Sequence, residues 1–407
     1  MKASLPGLEN PRTAQILLAA RGARAFADGL VSLVLPVYLR ELGYGPVETG
    51  VIATATLTGS ALLTLAIGFY AHRASGRALL IGASLLMIGT GLAFAGIEEI
   101  WPLLVVSFLG TLNPSSGDVS AFLPLEQAQL AYLTGPSERT RMFARYSFIG
   151  SMAAALGALA AVLPDLAVER IDASLKAACQ GVFVLYALIG ATVLFLYSRL
   201  PSVEADVSAS TRTPLGPSRR TVLRLAGLFS IDSFGGGFVI QSLLALWLFE
   251  RFGLSLAAAG SIFFWTGVLS AFSYFAAVRI SERIGLVNTM VFTHLPANVC
   301  LLLVPFAPSL WIALALLFTR SALSQMDVPT RTSYVMSVVT PAERAAAASV
   351  TAVPRSLASA ASPTLAGLLL ATSGFGWPLV IGGSLKIAYD LLLLVMFRNV
   401  GAHDEHG

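Results

Sequence analysis

The sequence predicts an all-α membrane protein in which twelve transmembrane helices form two pseudo-symmetric six-helix bundles. Three observations carry this. First, the 407 residues are 56% hydrophobic and only 12% charged, where soluble domains average about 25% charged. Second, long apolar runs recur down the chain, as at 51–69, 78–97, 181–197, 286–305 and 375–396. Each approaches the roughly 20 residues a helix needs to cross about 30 Å of hydrocarbon. Third, the chain repeats itself: Pro124, Pro136, Glu138 and Arg139 recur as Pro329, Pro341, Glu343 and Arg344, so 122–139 lies over 327–344 without a gap. Inside that frame Glu126 matches Arg331.

By hydropathy the first bundle (1–198) holds spans near 14–38, 47–70, 77–97, 101–133, 141–163 and 177–198. Span 1 is apolar except on the face that carries Arg24 and Asp28, four residues apart. Span 4 is longer than a crossing demands and contains Asn113, Pro114, Gly117 and Asp118, which predicts a kink or break. Residues 199–221 are polar and rich in Ser, Thr and Pro, the pattern of a flexible cytoplasmic linker. The second bundle (222–407) holds spans near 222–249, 256–278, 286–306, 310–339, 345–371 and 376–397. Span 7 places Asp232 beside the run Gly235, Gly236, Gly237, which permits close helix approach or local unwinding. Span 10 is long like span 4 and is interrupted around Ser324, Asp327 and Pro329. Two interrupted helices at corresponding places in tandem halves point to a binding site between them. Gly43 and Gly50 after span 1, and Gly253 and Gly260 after span 7, repeat at one spacing.

The net charge of +4 is explained by placement. With the N-terminus in the cytoplasm, Arg40, Arg170, Lys176 and Arg251 lie outside, while most other basic residues fall at cytoplasmic helix ends. Both termini then face the cytoplasm of a cell (inner or plasma) membrane, and nucleic-acid binding is not expected. Cys179 and Cys300 lie inside apolar spans and read as buried small residues, not a disulfide framework. There is no Gly-rich phosphate loop, no His-x-x-x-His pair and no Cys cluster. ATP-driven pumping, metal chemistry and a cofactor are therefore not expected, and no acid, base and nucleophile constellation suggests an enzyme.

A charge in a bilayer costs at least about 2.5 kcal/mol, so intramembrane charges are candidates for function. Asp28, Asp232, Glu126 and Asp327 are the candidate proton carriers. Asp232 has no Arg within a turn of sequence, which suits a proton acceptor. Arg24, Arg331, Arg355 and Asp118 are the candidate solute-binding residues, with Arg331 and Arg355 as an anion-binding pair. Arg320, Asp327 and Arg331 recur at spacings that share one helix face. Glu126 and Arg331, both near the midplane, either bind each other across the pseudo-symmetry axis or flank a solute. His294 reads as a satisfied histidine alone among apolar residues.

The loop after span 2 reads Gly68-Phe69-Tyr70-Ala71-His72-Arg73-Ala74-Ser75-Gly76-Arg77, and the second half has Glu282-Arg283-Ile284-Gly285. With the tandem six-span halves, these residues resemble the major facilitator superfamily, whose loop signature runs Gly-x-x-x-Asp-Arg-x-Gly-Arg-Arg. Gly68, Arg73, Gly76 and Arg77 fit with one extra residue before the second glycine, and His72 stands where the family has Asp. The resemblance implies a monomeric twelve-helix carrier. It also implies a cytoplasmic gating loop formed by Gly68, His72, Arg73, Arg77, Glu282 and Arg283. It places the last span of each half at the periphery, where Lys386 and Asp390 would be a self-neutralised pair. The family's drug-antiporter signature in span 5 requires a Pro that the stretch from Gly150 to Gly157 lacks. The expectation is a proton-coupled secondary transporter of a small polar or anionic solute, working by alternating access, with efflux preferred. The alternatives are a lipophilic multidrug exporter and a transporter-like sensor or lipid scramblase.

Overall fold

The structure is a computed structural model that describes residues 11–70, 75–115, 122–133, 136–201, 216–340 and 343–398. Every regular element among them is helical. The first half comprises α1 (Pro11–Glu41), α2 (Pro46–Tyr70), α3 (Gly76–Gly96), α4 (Ile100–Leu109), α5 (Phe122–Leu133), α6 (Pro136–Leu159), α7 (Leu163–Ile171) and α8 (Leu175–Ser198). The second comprises α9 (Arg219–Gly237), α10 (Gln241–Phe252), α11 (Leu256–Ile284), α12 (Leu286–Leu303), α13 (Leu310–Ser324), α14 (Asp327–Ser337), α15 (Arg344–Thr372) and α16 (Trp377–Phe397). Nine stretches among the described residues are long and apolar enough to cross a membrane. The other three expected crossings coincide with the broken pairs α4–α5 and α13–α14, and with α15, which carries Pro354, Arg355 and Pro363.

Local chemistry sets the helix ends. The Ser75, Ser174 and Ser255 hydroxyls accept from the amides of Ala78, Ala177 and Ala258 and satisfy first-turn donors of α3, α8 and α11. Gly43 and Gly253 turn the chain after α1 and α10 with φ of 85° and 63°, a backbone that side chains resist. The predicted interruptions are present: span 4 breaks between Leu109 and Phe122, span 10 between Ser324 and Asp327, and span 7 between Gly237 and Gln241. Trp101 and Trp311 open α4 and α13 and are 77% and 79% exposed, as suits matched anchors at a membrane interface.

Small residues let helices approach within a bilayer that supplies no hydrophobic drive between them. A Cβ on Gly157 would stand 1.9 Å from the Phe26 carbonyl oxygen, and one on Gly29 would stand 2.1 Å from that of Ala154. These glycines bring α1 against α6. Gly50 and Gly367 do the same for α2 and α15, with a Cβ on Gly50 falling 2.4 Å from the Pro363 oxygen. The α2–α15 and α6–α11 contacts join the halves.

The apolar core is divided, and the division positions the site. Toward the face where α1 begins and α16 ends, each half has its own cluster. One gathers Leu17, Tyr146 and Tyr197, and the other Val222, Phe229, Tyr389 and Phe397. Toward the far face a single cluster takes residues from both halves, among them Leu35, Tyr38, Phe183, Leu243, Trp247 and Leu370. The halves are thus fused at the far face and separate toward the face of the chain ends.

Candidate functional site

Below the fused core lies a cavity of about 450 Å³ between the halves. Its charged lining is Arg21 and Asp28 from α1, Asp232 from α9, Arg320 from α13, Arg331 from α14, Arg355 from α15 and Lys386 from α16. Among the described residues five cations therefore face two carboxylates. Much of the remaining wall is polar, with Ser115, Ser151, Ser233, Gln241, Thr266, Ser270, Tyr274, Ser321, Ser324, Gln325, Ser356 and Ser359.

Two buried charge clusters flank the cavity. In the first half Glu126, 0% exposed, accepts from the Arg24 guanidinium and from the hydroxyls of Tyr146 at 2.5 Å and Tyr197 at 2.6 Å. Arg24 also lies over the Phe122 ring, 4.1 Å from its centroid. In the second half Asp232 accepts from Lys386 Nζ at 2.6 Å and from Arg331 at 3.0 Å. Arg331 donates in addition to Asp327, one turn away. Behind Asp232, His294 Nδ1 lies 2.9 Å from Asp390 Oδ1, Asn298 donates to Asp390 at 2.8 Å, and His294 Nε2 lies 3.9 Å from Asp232.

Several expectations change accordingly. Glu126 and Arg331 do not bind each other, because each is held within its own half. Arg24 pairs with Glu126 and not with Asp28 four residues on. Asp28 makes no ion pair within 4 Å among the described residues; it lies in the field of Arg24 and Arg21 and is hydrogen-bonded by Asn113. Asp232 has no cation near in sequence but holds two in space. Lys386 and Asp390 do not neutralise each other, since Lys386 turns to Asp232 and Asp390 to His294. α16 is peripheral as expected, among the least buried spans and packed on α9 and α12 of its own half, but its inner face sends Lys386 into the cavity. His294 sits among polar groups, and Cys300 is only half-buried, whereas Cys179 is buried.

Of the expected solute-binding residues, Arg331 and Arg355 line the cavity, Arg24 stands behind its wall, and Asp118 lies outside the described residues. Arg355 has no ion pair or hydrogen bond among the described residues, nor does Arg320. Arg21 and Arg320 are cavity residues that the sequence reading did not select. Their signal was present, since Arg21, Arg24 and Asp28 share a helix face, as Arg320, Asp327 and Arg331 do. His72 and Arg73 of the expected gating loop lie outside the described residues, and Gly68 falls in the last turn of α2. Arg77 donates to the Ser198 carbonyl at 2.7 Å, tying α3 to the end of α8. Glu282 and Arg283 are exposed in the last turn of α11.

At the far face polar contacts bridge the halves above the cavity. Gln241 donates to the Ser32 hydroxyl at 2.9 Å, the Ser242 amide to the Pro114 carbonyl at 3.1 Å, and the Thr364 hydroxyl to that of Thr54 at 2.9 Å.

This arrangement is similar to known carriers. The chain is 26% identical over 428 aligned positions to the uncharacterized membrane protein YJR124C of Saccharomyces cerevisiae, covering 96% of this chain and 95% of that protein. The fold matches the crystal structure of the nucleoside transporter NupG with a TM-score of 0.72 at 12% identity, covering 95% of this chain and 99% of the other. It matches the inward-open xylose transporter XylE from E. coli with a TM-score of 0.71 at 13% identity, covering 97% and 98%. The sequence model of the Major Facilitator Superfamily matches residues 17–238, more than half of the chain. With tandem helical halves fused at one face around a charged cavity, the chain belongs to the Major Facilitator Superfamily and is a membrane transporter.

Proposed function

We propose that the protein is a proton-coupled secondary transporter that moves a small polar anion by alternating access, its halves at 1–198 and 222–407 rocking as two six-span bundles about the linker 199–221. The observation that carries this reading is the cavity lining among the described residues, in which Arg21, Arg320, Arg331, Arg355 and Lys386 outnumber Asp28 and Asp232. A cation excess inside a low-dielectric wall raises the local concentration of anions and favours their binding. The same charges, with the serine-rich wall, oppose the lipophilic-drug reading, which calls for an apolar cavity.

The positive-inside distribution assigns the face of the chain ends to the cytoplasm of the plasma or inner membrane. On that assignment the fused far face is the closed outer gate, and the conformation is inward-facing. Asp28 is the proposed proton carrier. Among the described residues it is the cavity acid without an ion pair, whereas Asp232, Asp327 and Glu126 each accept from an arginine or lysine held in place. Arg77, with Arg73 and His72, acts in the cytoplasmic gating loop.

The test uses protein reconstituted in liposomes with an imposed pH gradient, offered radiolabelled organic anions. Gradient-driven accumulation of an anion is expected in the wild type. Asp28→Asn should lose that accumulation yet retain exchange of labelled for unlabelled anion. Full accumulation by the variant would refute the coupling assignment, and absence of any anion flux would refute the function.

A further inference from the structure

The cavity's cations are not equivalent. Arg331 is held by Asp327 and Asp232, and Lys386 by Asp232. Arg320 on α13 and Arg355 on α15 have neither an ion pair nor a hydrogen bond among the described residues, and the Nε of Arg320 is buried without a partner. The half-buried Arg320 guanidinium is costly to leave unsatisfied at membrane depth, and Arg355 is exposed to the cavity. A guanidinium's planar fork of donors matches the oxygens of a carboxylate or a phosphate. Both arginines line the same cavity as Arg331, Asp232 and Lys386.

The wall beside these two arginines is hydroxylated. Ser321 and Ser324 follow Arg320 on α13, and Ser356 and Ser359 follow Arg355 on α15, all four lining the cavity. Hydroxyls both donate and accept, which suits a solute that carries hydroxyls of its own. A volume of about 450 Å³ lies within the usual range of about 300–1,000 Å³ for small-molecule pockets.

We infer that Arg320 and Arg355 form a two-pronged seat for the oxyanion of a polyhydroxylated solute, a sugar acid or a sugar phosphate, whose hydroxyls meet the serines of α13 and α15. This rests on the anion-transport reading and narrows it. Arg331, the expected partner of Arg355, serves instead to hold the two aspartates.

The experiment is calorimetric titration of the full-length protein in detergent with gluconate, glucose 6-phosphate, neutral glucose, acetate and inorganic phosphate. Wild type should bind gluconate or glucose 6-phosphate at least about 30-fold more tightly than glucose, the factor expected for a desolvated charge contact. Acetate and inorganic phosphate should bind more weakly than the hydroxylated anions. Gluconate alone identifies a carboxylate seat and glucose 6-phosphate alone a phosphate seat. Arg320→Gln and Arg355→Gln should each weaken the anion about 30-fold or more while eluting as folded protein, and Arg355→Lys should recover part of the loss. Equal binding of glucose, anion binding indifferent to both glutamine variants, or no binding of either hydroxylated anion overturns the assignment. Liposome flux of the bound anion separates the two ideas. Binding without flux sinks the carrier reading and leaves the seat, whereas flux untouched by both glutamine variants leaves the carrier and sinks the seat.

Discussion

Removing one charge from the Arg24–Glu126 cluster tests how the first half is held together. Glu126 is 0% exposed and Arg24 2% exposed, so Glu126→Gln takes the carboxylate from a guanidinium that water does not reach. An uncompensated charge at the centre of a membrane helix costs at least about 2.5 kcal/mol. The tyrosine bonds, at 2.5 and 2.6 Å, lose the strength that a charged acceptor confers, about 1 kcal/mol between them after the amide oxygen replaces one. The sum falls in the range of about 3–5 kcal/mol typical of breaking a buried pair on one side. At roughly 2 °C per kcal/mol for a large chain, the melting temperature in detergent should fall by about 6–10 °C. The double variant Arg24→Met, Glu126→Gln removes both charges and should recover at least half of that loss, because buried pairs replaced together are often near neutral. The assay is thermal unfolding followed by intrinsic fluorescence. If Glu126→Gln melts like the wild type, or the double variant is no better than the single one, the cluster is not the electrostatic lock described.

Three further outcomes are expected. Thr54→Cys with Thr364→Cys, in a background with Cys179 and Cys300 changed to Ala, should cross-link on mild oxidation, since the native hydroxyls are 2.9 Å apart; flux should stop and return on reduction, and undiminished flux in the cross-linked protein would refute the outer gate. Gly157→Val should cost at least about 1–3 kcal/mol and reduce folded yield, because its Cβ would meet the Phe26 carbonyl; Gly82→Ala, with nothing within 4 Å, is the control that should express normally. Hydrogen bonds from Ser218, Thr340 and Gly216 hold the Glu343 carboxyl down at about 2 from an ordinary 4.5. A depressed carboxylate stabilises above its unfolded value, so the wild type's melting-temperature advantage over Glu343→Ala should be complete above about 4.5 and vanish as pH falls toward about 2; a gap that does not change with pH would contradict this.

The helical fold was legible because hydrocarbon leaves little choice: each backbone polar group must bond within its own helix, so apolar length announces a crossing. The breaks in spans 4 and 10 were equally legible, since proline acts locally and recurs at corresponding places in both halves, and the glycine run marked the break in span 7, which continuous α1 does not share. The family resemblance rested on the same features together with the loop around Gly76 and Arg77. The candidate site was legible only in part. The sequence marked Asp28, Asp232, Arg331 and Arg355, which line the cavity, but passed over Arg21, Arg320 and Lys386, whose value depends on neighbours from other helices.

The residues themselves dictated which charges are buried and on which helix face they stand, because helical spacing is a local property. Partner choice was not local. Arg331 and Asp327, four apart, do bond, whereas Arg24 passes over Asp28 for Glu126, and Lys386 leaves Asp390 for Asp232. A bond four residues apart forms only when no better-aimed acceptor crosses the same buried space. Which acceptor crosses is set by packing through contacts such as Gly157 on Phe26 and Gly237 on Ser359. Those contacts bring distant segments together, and they left Arg320 and Arg355 lining the cavity with no ion pair or hydrogen bond among the described residues.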